Sequence, residues 1–287
     1  VKRQDRLRRW WPLLALLMAG AARWIVTDTH PDAGSTLASE ALGCAWAALL
    51  IWALAPRSPV RAPGSVWKTM LAGAMLIVGP VTALLAHAPL VDAGGLTMAL
   101  ALTPVVVAVA SAALSRGHSE DVAGRLWPGL AAVAGLLLIL VTPSLSDIRS
   151  DLVLALTPLF SGIGAAWLSA QGGATAGKLR SGLAGASVVF VAAALAGWPL
   201  GDRPSLSVVA VAWDGVVALL GMLTLLQLGA TRWSAQFVLL PLLILLEGIV
   251  MMHPPMTLRW VCGLALLVVS SVYLLLQRES EPPAPIA

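Results

Sequence analysis

The sequence predicts an all-α integral membrane protein whose ten transmembrane helices form two inverted five-helix repeats. Three observations predict it. The 287 residues are 59% hydrophobic and only 11% charged, roughly half the charged fraction of a soluble domain. Apolar runs of the about 17–25 residues needed to cross a bilayer recur along the whole chain. Threaded alternately through a membrane, these runs place fourteen of the 18 Lys and Arg residues on one side and four on the other. Basic residues collect on the cytoplasmic side of membrane proteins, so both termini are expected there, in a bacterial inner membrane.

The expected spans are 11–27, 36–55, 67–86, 91–115, 126–143, 151–170, 183–199, 206–228, 233–252 and 258–276. The first follows a basic stretch, "KRQDRLRRWW", which imitates the start of a signal peptide; the repeat described below needs it as a retained span. "DTHPDAGS" closes the first span and "PRSPVRAPGS" the second, each combining Pro, Gly and charge. "RGHSED", "SLSDIRSD", "QGGATAGKLRSG" and "PLGDRPS" separate later spans in the same way. Tryptophans cluster near the expected boundaries, where an apolar ring with a polar N–H is favoured.

The halves, 1–146 and 147–287, echo each other. "RLWPGLA" (125–131) and "RWVCGLA" (259–265) each open the last span of a half. "ALTPVVVAVA" and "VLLPLLILLE" each put a proline into the span before it, and "LLMAGAARW" (16–24) resembles "LFSGIGAAW" (159–167). Five spans is an odd number, so the second half must lie upside down relative to the first. Secondary transporters use that arrangement, with the substrate between the halves.

These stretches resemble the drug/metabolite transporter superfamily, specifically its EamA-type ten-helix members. The resemblance rests on "ALALTPVVVAVASAAL" and on "ATRWSAQFVLLPLLILLEGIVMMHPPMTLRWVCGLALLVVSSVYLLL". Relatives carry a turn Glu where this chain has Pro254, and often an Arg where it has Glu40, so this is a divergent member. The resemblance implies export of a small organic metabolite by alternating access. A lipid-linked carrier flippase on the same scaffold and a non-transporting membrane subunit are the alternatives.

Ionisable residues inside spans are functional candidates, because lipid exposure is costly. Asp214, Glu247, Glu40 and Arg23 all fall in the outer half of their spans. They are the expected substrate or proton-coupling residues, lining an outward vestibule; Arg23 and Glu40 could equally pair with each other across one loop. The inner half offers only Gln227 and Gln236. Pro80, Pro104, Pro158 and Pro241 sit inside spans and are candidate kinks or hinges.

The remaining chemistry is sparse. His30, His87, His118 and His253 share no ligand spacing, and Cys44 and Cys262 lie in separate spans. No metal, cofactor, disulfide or enzymatic activity is therefore expected. No phosphate-binding loop suggests ATP drive. The expected partners are a small-molecule substrate and membrane lipid, not nucleic acid, with the chain a monomer or homodimer.

Overall fold

The computed structural model describes residues 9–20, 33–54, 63–85, 93–114, 122–140, 148–195, 207–252 and 257–277. All regular structure among them is helical. The helices are α1 (9–20), α2 (Ala33–Leu54), α3 (Pro63–Leu85), α4 (Ala93–Ala101), α5 (Thr103–Leu114) and α6 (Val122–Ile139). They continue with α7 (Ile148–Ala170), α8 (Thr175–Leu195), α9 (Val208–Leu228), α10 (Ala230–Ser234), α11 (Gln236–Met252) and α12 (Leu258–Leu276). Each of the ten expected segments is mostly helical over its described residues, the fourth and ninth with a one-residue break. Three stretches, Thr97–Leu114, Val208–Leu228 and Leu258–Leu276, are long and apolar enough to cross a membrane.

The outer faces of the helices are apolar. Val109, Leu137, Val188, Val191, Val208, Val268 and Val272 are all exposed. Water would penalise such a surface, whereas hydrocarbon tails do not. The interior, by contrast, is rich in small and polar residues. Ser39, Thr69, Thr103, Thr157, Ser161, Thr224, Ser234 and Ser270 are buried beside many alanines. Small side chains let backbones approach closely, which drives helix association where no hydrophobic force between helices is available.

Three crossings depend on glycine pairs, one of them Gly135 with Gly263 where α6 crosses α12. A Cβ on Gly43 would lie 2.7 Å from the backbone nitrogen of Gly215, where α2 crosses α9. A Cβ on Gly73 would collide with the backbone of Gly182, where α3 crosses α8. Interhelical hydrogen bonds reinforce the packing. The Trp46 indole donates to the Val211 carbonyl (3.1 Å) and the Trp213 indole to the Ala19 carbonyl (3.2 Å). The Ser187 hydroxyl donates to the Ala41 carbonyl (3.0 Å) and the Ser270 hydroxyl to the Pro128 carbonyl (2.5 Å). These two tryptophans thus join helices to each other.

Two expected spans are interrupted, and in the same way. Leu102 breaks the fourth: its N–H donates to the Ala99 carbonyl, and its own carbonyl accepts from Val105 and Val106. Ala235 breaks the ninth: its N–H donates to the Arg232 carbonyl, and its own carbonyl accepts from Val238 and Leu239. Each is a tight i→i+3 turn set within a helix. The prolines do not share this equivalence. Pro104 follows its break by two residues and Pro241 by six, inside an unbroken α11. The repeated feature of these spans is therefore the break and not the proline. Pro158 likewise lies inside an unbroken α7, and Pro80 lies inside α3. Pro128, buried inside α6, is a further interior proline.

Boundaries shifted where polar residues joined helices. The seventh span starts at Thr175, eight residues before the expected 183. Lys178 makes this possible by reaching back to the carbonyls of Leu168 and Gln171 at the end of α7, where a cation complements the helix dipole. The link from α9 to α10 is the single residue Gly229, whose φ of 83° suits a residue without a side chain.

Candidate functional site

The clearest meeting of sequence-expected residues lies where α2 crosses α9. Close approach at Gly43 and Gly215 brings the neighbouring side chains together. The Ser39 hydroxyl donates to Asp214 Oδ2 at 2.6 Å, and both residues are buried. Glu40, also buried, is the next residue along α2. Cys44, fully buried, lies one turn further along α2. Trp213 and Trp46 cover the crossing with hydrogen bonds to main-chain carbonyls.

Each of these two helices, far apart in sequence, thus carries one buried carboxylate, and that of Asp214 meets the other helix. A hydroxyl donating to a carboxylate fixes its orientation. Buried carboxylates within apolar helices are candidates for holding a proton or a cation. Among the described residues no group of three or more His, Cys, Asp or Glu side chains has a metal-binding arrangement.

The other candidates scatter. Arg23 lies outside the described residues. Glu247 belongs to α11, which continues to Met252, and its side chain is outside the described set. Gln227 is exposed on α9 and Gln236 is half-buried at the start of α11. The structure therefore joins Ser39 of α2 to Asp214 of α9, with Glu40 and Cys44 buried near it on α2. Sequence reasoning missed Ser39 and Cys44 because neither residue type is costly in an apolar helix by itself. The spacing was nonetheless visible: Glu40 and Cys44 are four apart and share a face of α2.

A second polar region surrounds the helix breaks. Thr103 follows the break at Leu102, while Trp233 and Ser234 precede the one at Ala235. α5 packs on α10, α4 packs on α11, and α7 packs on α4, α5 and α10. For two antiparallel rods, that pairing sets the breaks side by side. Thr103 Oγ1 on α5, Ser161 Oγ on α7 and Trp233 Nε1 on α10 are buried without a hydrogen-bond partner among the described residues. Phe237 meets Trp233 edge-to-face, with ring centroids 5.1 Å apart. Arg232 turns away, its guanidinium over the Trp10 ring at 5.6 Å.

A third polar contact joins α3 to the link between α7 and α8. The Thr69 hydroxyl donates to Gln171 Oε1 at 2.6 Å, beside the Lys178 contact described above.

No family model and no curated protein matches the chain. One solved crystal structure superposes on 94% of this chain and 98% of its own length, with a TM-score of 0.64 at 14% identity. A likeness at that identity is one of fold.

Proposed function

We propose that the protein is a secondary transporter of the drug/metabolite type. It moves a small organic metabolite outward across the cytoplasmic membrane by alternating access of two inverted five-helix halves. The observation that carries this reading is a symmetry in helix partners. Pair each helix of 1–146 with its counterpart in 147–287, counting α4–α5 and α10–α11 as one interrupted helix each. The contact of α2 with α9 then corresponds to that of α8 with α3, glycine pair for glycine pair. The contact of α7 with α3 corresponds to that of α1 with α9, where Leu16 and Ala19 meet Leu220. The contact of α5 with α7 corresponds to that of α11 with α1, where Leu240 meets Gly20. The pairs α2–α8 and α6–α12 map onto themselves. Two equivalent bodies that share such a boundary can rock against each other about a central site.

The carboxylates supply the drive in this reading. Asp214 and Glu40 sit on opposite halves, so protonation changes the attraction across the boundary that must open and close. Proton binding on one side of the membrane and release on the other then couples transport to the gradient. The test is uptake of a metabolite panel into proteoliposomes with and without a pH gradient, for wild type and Asp214→Asn. Gradient-driven transport that survives Asp214→Asn removes the coupling role. A second reading, a non-transporting membrane subunit, draws on the Ser39–Asp214 hydrogen bond, which also suits a static bundle. That reading requires no solute movement under any gradient.

A further inference from the structure

The breaks at Leu102 and Ala235 carry an inference about what the transporter binds, and it rests on the transporter reading. Thr103, Ser161 and Trp233 come from α5, α7 and α10, three helices that pack on one another. On α5, Thr103 stands one turn before Val107; on α7, Ser161 stands one turn before Ala165. Val107, Ala165, Leu168 and Trp233 belong to a single packed core. Thr103 and Ser161 are fully buried and Trp233 is 3% exposed. All three polar atoms lack a hydrogen-bond partner among the described residues. A buried polar group without a partner is destabilising, so three together mark a place where something else completes the hydrogen bonds.

The side chains define the missing partner. An indole N–H only donates, so the ligand presents an oxygen or nitrogen acceptor; hydroxyls both donate and accept. None of the three carries charge, and Arg232, the adjacent cation, directs its guanidinium over the Trp10 ring on α1. A charged ligand would be buried here without a counter-ion, which is costly. Val107, Ala165, Leu168 and the Phe237 ring offer apolar surface alongside. We infer that the helix breaks form a binding site for a small neutral solute that combines an apolar ring with carbonyl or hydroxyl oxygens. Asp214 and Glu40 lie on α9 and α2, not on the helices that carry these three side chains.

Thermal-shift titration of the purified full chain in detergent tests this. The neutral probes are nicotinamide and uridine; the charged probes are citrate and spermidine. At least one neutral probe raises the melting temperature and the charged probes do not. Thr103→Val and Ser161→Ala melt at or above wild type without ligand, because each removes an unpartnered polar atom. Each of these variants, and Trp233→Phe, weakens neutral-probe binding by about tenfold, the usual order for one lost hydrogen bond in a closed site. Stabilisation by charged probes only, no stabilisation by any probe, or neutral binding that persists in the three variants overturns the inference. So does a lower melting temperature for Thr103→Val, which would mean that its hydroxyl is already satisfied. Gradient-driven transport lost in Asp214→Asn but unchanged in these variants leaves the transporter reading standing and removes this one.

Discussion

At Asp214 the cost of burying a carboxylate is offset by a directed hydrogen bond from Ser39. Removing that donor by Ser39→Ala leaves a buried acceptor short of a partner and should cost about 1–3 kcal/mol, read as a lower unfolding midpoint in detergent. Asp214→Asn keeps an oxygen for the same hydroxyl, so its midpoint should stay near wild type while gradient-driven uptake is lost. The contrast separates a structural from a coupling role at one position. Asp214 and Glu40 stood out in the sequence because charge is rare in apolar helices. Ser39 and Cys44 did not, because a hydroxyl or thiol passes unnoticed in such a segment.

Among the elements, close contact is the rule, and the glycines define where it happens. Gly73→Val pushes a branched side chain into the backbone of Gly182 and should destabilise by about 1–3 kcal/mol or more, visible in the same unfolding assay. Gly177, around which an added Cβ meets nothing, should accept alanine with no such loss. Gly229→Ala should cost about 1–3 kcal/mol for a different reason, since a positive φ strains a residue with a side chain. The sequence exposed the extent of most helices, because apolar runs bounded by Pro, Gly and charge have few other uses. It hid the breaks at Leu102 and Ala235. Neither residue has an unusual conformational preference, and the conspicuous proline of the second half lies a turn and a half beyond its break.

For the whole molecule, the partner symmetry predicts that both termini lie on the same side of the membrane. Reporter fusions at the two ends should give the same compartment signal; opposite signals would remove the ten-span arrangement. The apolar exteriors of α8 and α12 carry a further expectation. An arginine at Val188 or Val272 faces hydrocarbon and should cost about 2.5–3.5 kcal/mol on the insertion scale for a mid-span charge, measured as reduced membrane insertion.

Composition by itself determined that this chain is helical and membrane-borne. An apolar surface that covers whole helices has no favourable place in water, and a backbone inside a bilayer must satisfy its own hydrogen bonds. Composition also supplied the candidates for a site, because buried charge is expensive wherever it falls. Tertiary structure decided which candidates meet. Ser39 and Asp214 are 175 residues apart in the chain yet 2.6 Å apart in space, and only the crossing at Gly43 and Gly215 makes them neighbours. The breaks follow the same logic: a local turn in one helix becomes half of a shared feature only when a second broken helix packs beside it.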